Sequence, residues 1–198
     1  MVTSQGELTA WTQFCDRVTS NNEVFADTPN VEFSRFSARY RAASVLTVSL
    51  PGYSDKGRTA DGYADLLGVG MAYSALEALE HAIKQHDLHF NAPAWPCVAV
   101  SSAELAEAFR SDGAAKLRDA FDRHLTSKKL RLKVRALHDE GEDVAPLVAG
   151  FRHLAFHGVF TPGTFGYSRT VVRDLIRGLR THTLLATDRH FTAWVNQA

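Results

Sequence analysis

Apolar residues recur every three or four positions through most of this 198-residue chain, and no other feature limits the fold as strongly. The longest example runs from about Thr59 to Gln85. Its predicted apolar side carries Tyr63, Leu66, Leu67, Met71, Ser74, Ala75, Ala78, Leu79 and Ala82. Gly62, Gly68 and Gly70 inside it would each cost about 1 kcal/mol relative to alanine, which indicates close packing against another backbone.

Two shorter helices are predicted before this one. Ser4 and Glu7 have the spacing of a capping box, which opens a first helix that continues to Val18. The second helix covers Val31–Leu50. Its last residues, 45–50, contain enough β-branched side chains to form a strand instead.

The middle of the chain contains three further candidate elements. A capping box from Ser101 to Glu104 starts a short helix that ends near Phe109. Gly113 separates it from the next helix, whose apolar positions are Leu117, Phe121 and Leu125. The segment 128–137 alternates basic and apolar residues like a strand, but its residue types favour a helix, which is the interpretation we prefer.

A later helix is predicted over Val144–His157. Asp143 is placed to cap it, and Pro146 falls in its first turn, where a missing N–H costs little. Gly158 and Pro162 end it.

The rest of the chain consists of connections and one last helix. A flexible loop is predicted at Gly163–Tyr167, followed by a helix over Ser168–Asn196 that is expected to break near Thr181–Asp188. Turn-rich connections are predicted at 21–30, 51–57 and 93–96. Six or seven helices without convincing strands predict an all-α helical bundle.

The amino-acid composition limits the binding partners and the cellular compartment expected for such a bundle. The chain has 45% hydrophobic and 22% charged residues, as folded soluble proteins do, and its formal net charge of zero argues against a basic coat for DNA. A local patch would still suffice for RNA. Cys15 and Cys97 form no CxxC pair and are expected to be reduced, buried or half-buried thiols. Residues 1–7 lack a signal-peptide pattern, and no apolar run approaches about 20 residues, so we expect a cytoplasmic protein without a membrane span.

The Val144–His157 helix carries the chemistry. Its predicted core stripe is Val144, Leu147, Val148, Phe151, Leu154 and Ala155. The other side holds Ala145, Ala149, Arg152, His153, Phe156 and His157, which is unusually apolar for a solvent face. We therefore expect this side to be covered by another helix layer or by a second subunit.

Arg152 and His157 are the candidate functional pair on that side. Arginine holds a phosphate with a planar fork of donors, and histidine exchanges a proton near neutral pH. An alternative structural reading places His157 near free carbonyls at the helix end and pairs Arg152 with an acidic residue. Two histidine pairs, His153 with His157 and His86 with His89, lack a third ligand, so no metal site is predicted.

The segment from Arg152 to Gly158 resembles the signature of the HEPN superfamily (higher eukaryotes and prokaryotes nucleotide-binding domains). That signature is an arginine, then usually Asn, Asp or His, a short spacer, and a histidine often followed by glycine. Arg152, His153, His157 and Gly158 fill those places. The resemblance implies a HEPN-like helical bundle over residues 56–198, with 1–55 as an N-terminal helical extension packed on it.

Many HEPN proteins are metal-independent endoribonucleases, and the resemblance implies that activity here, without a cofactor. His157 would act as general base or acid, Arg152 would hold the phosphate, and His153 would help to orient the site. Possible cleft-lining residues are Tyr73, Glu77 and Phe156. An exposed basic stretch would steer the RNA, or would be only a solvated face; it comprises Lys128, Lys129, Arg131, Lys133 and Arg135.

The same resemblance implies partners and a biological role. HEPN proteins typically form homodimers through their motif helices, here 144–157, and act as toxins with a protein antitoxin or in phage defence. In one toxin subgroup a tyrosine two positions after the histidine is modified by the antitoxin, and Val159 stands in that place. The alternative function is a non-catalytic module that binds RNA or nucleotide, or serves as a dimerisation scaffold.

Overall fold

The computed structural model describes residues 6–20, 30–48, 57–86, 102–139, 141–158 and 160–197. These residues form an all-α helical bundle, as predicted. Its helices are α1 (Trp11–Thr19), α2 (Asn30–Val45), α3 (Gly57–His86), α4 (Ala103–Arg110), α5 (Ala115–His124), α6 (Lys128–Asp139), α7 (Ala145–Phe156) and α8 (Thr170–Gln197). A short 3-10 turn, Asp112–Ala114, joins α4 to α5.

Two hydrophobic clusters hold the bundle together. The main cluster joins the first half of α3 to α4–α7, the start of α8 and the loop before it. Its largest members include Leu66, Tyr73, Phe109, Phe121, Phe151, Phe160, Phe165 and Tyr167. The N-terminal cluster joins α1 and α2 to the far ends of α3 and α8. It includes Phe14, Phe33, Phe36, Leu79, Phe191 and Trp194. Both long helices therefore belong to both clusters.

The glycines of α3 lie where other parts of the chain come close. A Cβ added at Gly62 would lie 2.6 Å from Pro162 Cγ, and one added at Gly68 would lie 2.8 Å from Arg180 Cδ. The sequence-based inference of close packing is confirmed, although side chains rather than another backbone make the contacts. α3 itself extends two residues beyond the predicted start and one beyond the predicted end.

Tertiary contacts override several local predictions. α1 begins at Trp11 rather than near Ser4, because Thr9 lies outside the helix and its N–H donates to Asp188 Oδ1 on α8 at 2.8 Å. α2 ends at Val45, and residues 46–48 form neither helix nor strand. The N-cap of α4 is Ser102, whose Oγ accepts from Leu105 N at 3.3 Å, one position later than the predicted box.

The later elements give one confirmation and two corrections. Residues 128–137 are helical, as preferred. α8 is unbroken through 181–188, where Thr187 Oγ1 donates to the carbonyl of Thr183 at 2.8 Å and both threonines are fully buried. The loop at 163–167, predicted to be flexible, is instead anchored by the buried rings of Phe165 and Tyr167.

Some predictions fall outside the described residues. These are the capping residue Ser4, the connections at 51–56 and 93–96, residues 21–29, the strand alternative at 49–50, and His89, Cys97 and Val159. Cys15 is described, and it is exposed rather than buried or half-buried, so that prediction is wrong.

Candidate functional site

The N-terminal part of α7 is fixed by capping and by close packing. The helix begins at Ala145 with Val144 as its N-cap, one residue later than predicted, and Asp143 contributes from the preceding position, where its Oδ1 accepts a hydrogen bond from Ala145 N at 3.0 Å. Pro146 occupies the first turn, as expected. Gly150 faces Phe121 so closely that an added Cβ would lie 2.4 Å from Cε1 of that ring. The ring of Phe151 meets Phe121 edge-on at 5.0 Å between centroids. These contacts set the depth and rotation of α7, and so the direction of its functional side chains.

The C-terminal end of α7 presents its last residues to solvent. The helix ends at Phe156, with His157 as C-cap and Gly158 in the left-handed region at φ +69°. The N–H of Phe160 donates to the carbonyl of Leu154 at 3.2 Å, which satisfies one of the free carbonyls of the last turn. Because the Phe160 ring is buried, the chain turns inward after Gly158 and leaves His157 exposed.

Arg152 is linked to the middle of α3. Its Nη2 lies 3.1 Å from Glu77 Oε2, with both side chains somewhat more than one-third exposed. Its Cζ lies 5.7 Å from the centroid of the Tyr73 ring. Arg152 Nε is buried and has no hydrogen-bond partner within the described part of the chain. Both of these contacts of the guanidinium are made by α3.

Burial and neighbouring positive charges have opposite effects on the pKa of Glu77. Partial burial raises the pKa of its carboxyl group, while the positive charges of Arg152 and Arg39 act in the opposite direction. A carboxylate in such a position is paired but incompletely solvated, so another anion that brought its own contacts could replace it on Arg152.

The two motif histidines contact each other. The ring centroids of His153 and His157 are 4.5 Å apart, with an angle of 62° between the ring planes. His153 Nε2 also lies 3.2 Å from Thr126 Oγ1, just before α6. Desolvation lowers the pKa of His153, and the charges of His157 and Arg152 lower it further. His153 is therefore neutral at pH 7.

The predicted residues come together only in part. Arg152 meets Tyr73 and Glu77, and His153 meets His157, but no hydrogen bond or ring contact joins Arg152 to His157 among the described residues. The three motif side chains nevertheless lie on the last two turns of one helix and share a half-exposed surface. We name this surface, formed by Arg152, His153 and His157 with Glu77, the motif site.

The second side of α7 is covered less fully than expected. α3 covers the Arg152 end, and one edge of the Phe156 ring would lie 3.0 Å from a Cβ at Gly70. The rest of Phe156 is open, with 48% of its surface exposed, and His157 is exposed as well. Among the described residues of a single chain, the predicted cover is therefore incomplete at the C-terminal end of α7.

The basic stretch lies on α6, whose first residues adjoin the motif site through Thr126. Lys128, Lys129, Lys133 and Arg135 are exposed and Arg131 is half-buried. Asp122 engages two of these residues: its Oδ1 lies 2.8 Å from Arg135 Nε, and its carbonyl accepts from Arg131 Nη1 at 3.5 Å. The three lysines carry the remaining charge of the stretch.

Two site neighbours, Thr126 and Arg39, were not predicted, because nothing in their local sequence distinguishes them. A buried polar group was also missed: Asp65 accepts hydrogen bonds from the Tyr167 hydroxyl and from Arg177 Nε. That group ties the loop before α8 to α3. Asp65 and Tyr167 are more than one hundred positions apart in the sequence, so local sequence patterns do not reveal their contact.

No group of three or more His, Cys, Asp or Glu side chains among the described residues is arranged to hold a metal ion. None of the helices that the structure describes is both long and apolar enough to cross a membrane. Comparison of the chain with protein-family models, with curated proteins and with solved structures gives no match.

Proposed function

We propose that the chain is a metal-independent endoribonuclease of the HEPN type, acting through the motif site. The observation that carries this proposal is the contact between His153 and His157 at an exposed helix end beside Arg152. Structural histidines are commonly buried or paired with a carboxylate. Here neither ring has a carboxylate partner among the described residues, and His157, the more exposed of the two, is open to a substrate.

The proposed reaction needs only these side chains and the RNA itself. His157 removes the proton from a ribose 2′-OH, whose oxygen then attacks the adjacent phosphorus. The bond from phosphorus to the 5′ oxygen of the next nucleotide breaks, and that oxygen takes up the proton that His157 removed from the 2′-OH. Arg152 binds the phosphate and stabilises the negative charge that develops on its oxygens. The products are a 2′,3′-cyclic phosphate and a 5′-OH.

His153 is suited to a positioning role in this scheme. Because it is neutral at pH 7 and its Nε2 is next to Thr126, it orients the ring of His157 rather than carrying a fixed charge. The lysines of α6, which begins beside Thr126, would attract the RNA backbone towards the site.

The test compares wild-type protein, His157→Ala and His138→Ala on a labelled structured RNA in EDTA. His138 is an exposed histidine near the end of α6, outside the motif site, and serves as the matched control. We expect cleavage by the wild type and by His138→Ala, with cyclic-phosphate ends, and no cleavage by His157→Ala. Equal cleavage by all three proteins would exclude the assigned site.

The second candidate is a non-catalytic module that binds RNA or nucleotide, or that only builds a dimer. The ion pair between Arg152 and Glu77 favours it, because an arginine committed to a carboxylate can be structural. Folded wild-type protein that binds several RNAs but cleaves none would support the binding module. Protein that neither binds nor cleaves RNA but forms dimers would support the scaffold.

We also propose a homodimer in which two copies of residues 144–157 face each other, with the open part of Phe156 at the interface. Phe156→Glu should convert the dimer to a monomer by light scattering. Leu185→Glu is the control, since Leu185 on α8 has the same exposure of 48%. If both variants keep the dimer, the interface lies elsewhere. A toxin or phage-defence role with a protein antitoxin belongs to the same proposal and rests on the HEPN resemblance.

A further inference from the structure

α2 contributes an arginine to the surroundings of the motif site. Phe36 and Tyr40 are buried in the N-terminal cluster, so the rotation of α2 is fixed and Arg39 lies on its exposed side. Burial raises the pKa of the Glu77 carboxyl group, and the positive charge of Arg39, like that of Arg152 on α7, partly offsets this rise. Glu77 therefore has arginines on two different helices as electrostatic neighbours.

A groove between α2 and α3 joins these groups. It is lined by Glu32, Arg35, Arg39, Glu77, Ala78 and His81, and its volume is about 370 Å³. That volume falls within the range of about 300–1,000 Å³ typical of ligand sites. Glu77 forms both a wall of the groove and the ion pair with Arg152, so the groove leads directly to the motif site.

The two arginines in the groove differ in whether they form an ion pair. Arg35 Nη1 lies 2.6 Å from Glu32 Oε1, one turn away on the same helix. Arg39 is exposed and has no ion pair within 4.0 Å among the described residues. Its guanidinium therefore retains its full set of donors for an external anion.

We propose that Arg39 and Arg152 together bind one RNA phosphate, and that Glu77 holds their position until that phosphate displaces it. This inference rests on the proposed function and extends it, because it makes part of the N-terminal extension a wall of the substrate path. A phosphodiester is a suitable replacement for the Glu77 carboxylate: like a carboxylate, it spreads one negative charge over two oxygens that an arginine fork binds with two parallel hydrogen bonds. RNA would then run from the α2–α3 groove across the motif site towards the lysines of α6.

The experiment measures binding of a fluorescent, fully 2′-O-methylated single-stranded RNA, which lacks the attacking hydroxyl, at salt concentrations from about 50 to 200 mM. The proteins are wild type, Arg39→Gln, Glu77→Gln and the matched control Arg189→Gln, which removes an exposed arginine on α8 that does not line the groove. Circular dichroism confirms that each variant is folded. Because cleavage is chemically blocked, the readout is independent of catalysis.

We expect Arg39→Gln to weaken binding about tenfold and to reduce the magnitude of the salt slope by about 0.7, the contribution of one phosphate contact on a single strand. Arg189→Gln should change neither the affinity by more than about twofold nor the slope, because Arg189 lies outside the proposed RNA path. Glu77→Gln should tighten binding, since it removes the competing carboxylate.

Two failures are distinguishable. If wild-type protein binds and Arg39→Gln behaves like Arg189→Gln, the two-arginine site is refuted while the proposed ribonuclease function stands. If wild-type protein does not bind RNA, both the proposed function and this inference fail. Weaker binding by Glu77→Gln would also refute the displacement step, because it would show that the carboxylate supports binding instead of competing with it.

Discussion

The Arg152→Ala variant tests whether Arg152 is a structural or a functional residue. The contacts of the Arg152 side chain predict that its loss changes the free energy of unfolding only slightly. A partly exposed ion pair contributes about 0.2–1 kcal/mol, and a cation–aromatic contact with a buried ring contributes between about 0.5 and 2 kcal/mol. Arg152 makes one of each, with Glu77 and with the buried Tyr73. Against these losses, the substitution removes the buried Nε, which has no hydrogen-bond partner among the described residues and whose desolvation costs about 1–3 kcal/mol. We therefore expect Arg152→Ala to lower the free energy of unfolding by about 2 kcal/mol at most.

The comparison variant is Phe151→Ala, one position earlier on α7. The Phe151 ring is fully buried in the main cluster, and its loss should cost about 3–5 kcal/mol. Both values are measured by urea denaturation with two spectroscopic probes. For a chain of this size, 1 kcal/mol corresponds to a shift in Tm of about 2–4 °C.

The outcome decides between the two readings of the motif site. A small stability loss in Arg152→Ala together with loss of RNA binding or cleavage would identify a functional arginine. The reasoning is refuted if Arg152→Ala destabilises the protein as much as Phe151→Ala does, because the ion pair with Glu77 would then be a major structural link between α3 and α7.

Three further predictions concern the helix that carries the site. In an NMR titration, the pKa of His153 should lie below its ordinary value of 6.5. In His157→Ala this pKa should rise without reaching 6.5, because desolvation is the larger cause of the shift. An unchanged pKa in the variant would show that His157 has no electrostatic effect on His153. Because folding lowers this pKa, the stabilising contribution of His153 is present above pH 6.5 and lost as the pH falls through the folded-state value. Gly150→Ala should cost about 1–3 kcal/mol in denaturation experiments, because its Cβ would overlap Phe121, and an unchanged midpoint would contradict the tight packing of α7. Gly158→Ala should lower the free energy of unfolding by about 1–2 kcal/mol from backbone strain alone, because nothing lies within 4 Å of the added Cβ. Gly158→Asn should lower it less. If both variants are as stable as the wild type, the left-handed turn is contradicted.

Local patterns predict most of the helices because each helix has a strong period and clear ends. Helix α6 forms despite its alternating pattern, since its lysine, leucine and arginine residues favour a helix and only Val134 and Leu137 need to be buried. The start of α1 could not be predicted in this way, because Thr9 is held outside the helix by Asp188, which lies 179 positions later.

In the candidate site, too, residues close in sequence could be predicted, and residues joined only by tertiary packing could not. Arg152, His153 and His157 are close in sequence, so one helix brings them together whatever the rest of the chain does. Glu77 was identified only as a possible cleft residue, and its pairing with Arg152 depends on how α3 packs on α7. Arg39 and Thr126 enter the surroundings only through tertiary packing, and no local signal distinguishes them from other exposed polar residues.

The sharing of α8 between both hydrophobic clusters sets the order in which the protein can assemble during synthesis. The partners of Phe14 and Phe33 include Phe191 and Trp194, which leave the ribosome long after α1 and α2. Helix α2 can pack on α3 as soon as α3 has been translated, whereas α1 must wait, with apolar side chains exposed, until α8 has been made. The groove between α2 and α3 can therefore form early, while the N-terminal cluster that covers its far side closes only when α8 docks.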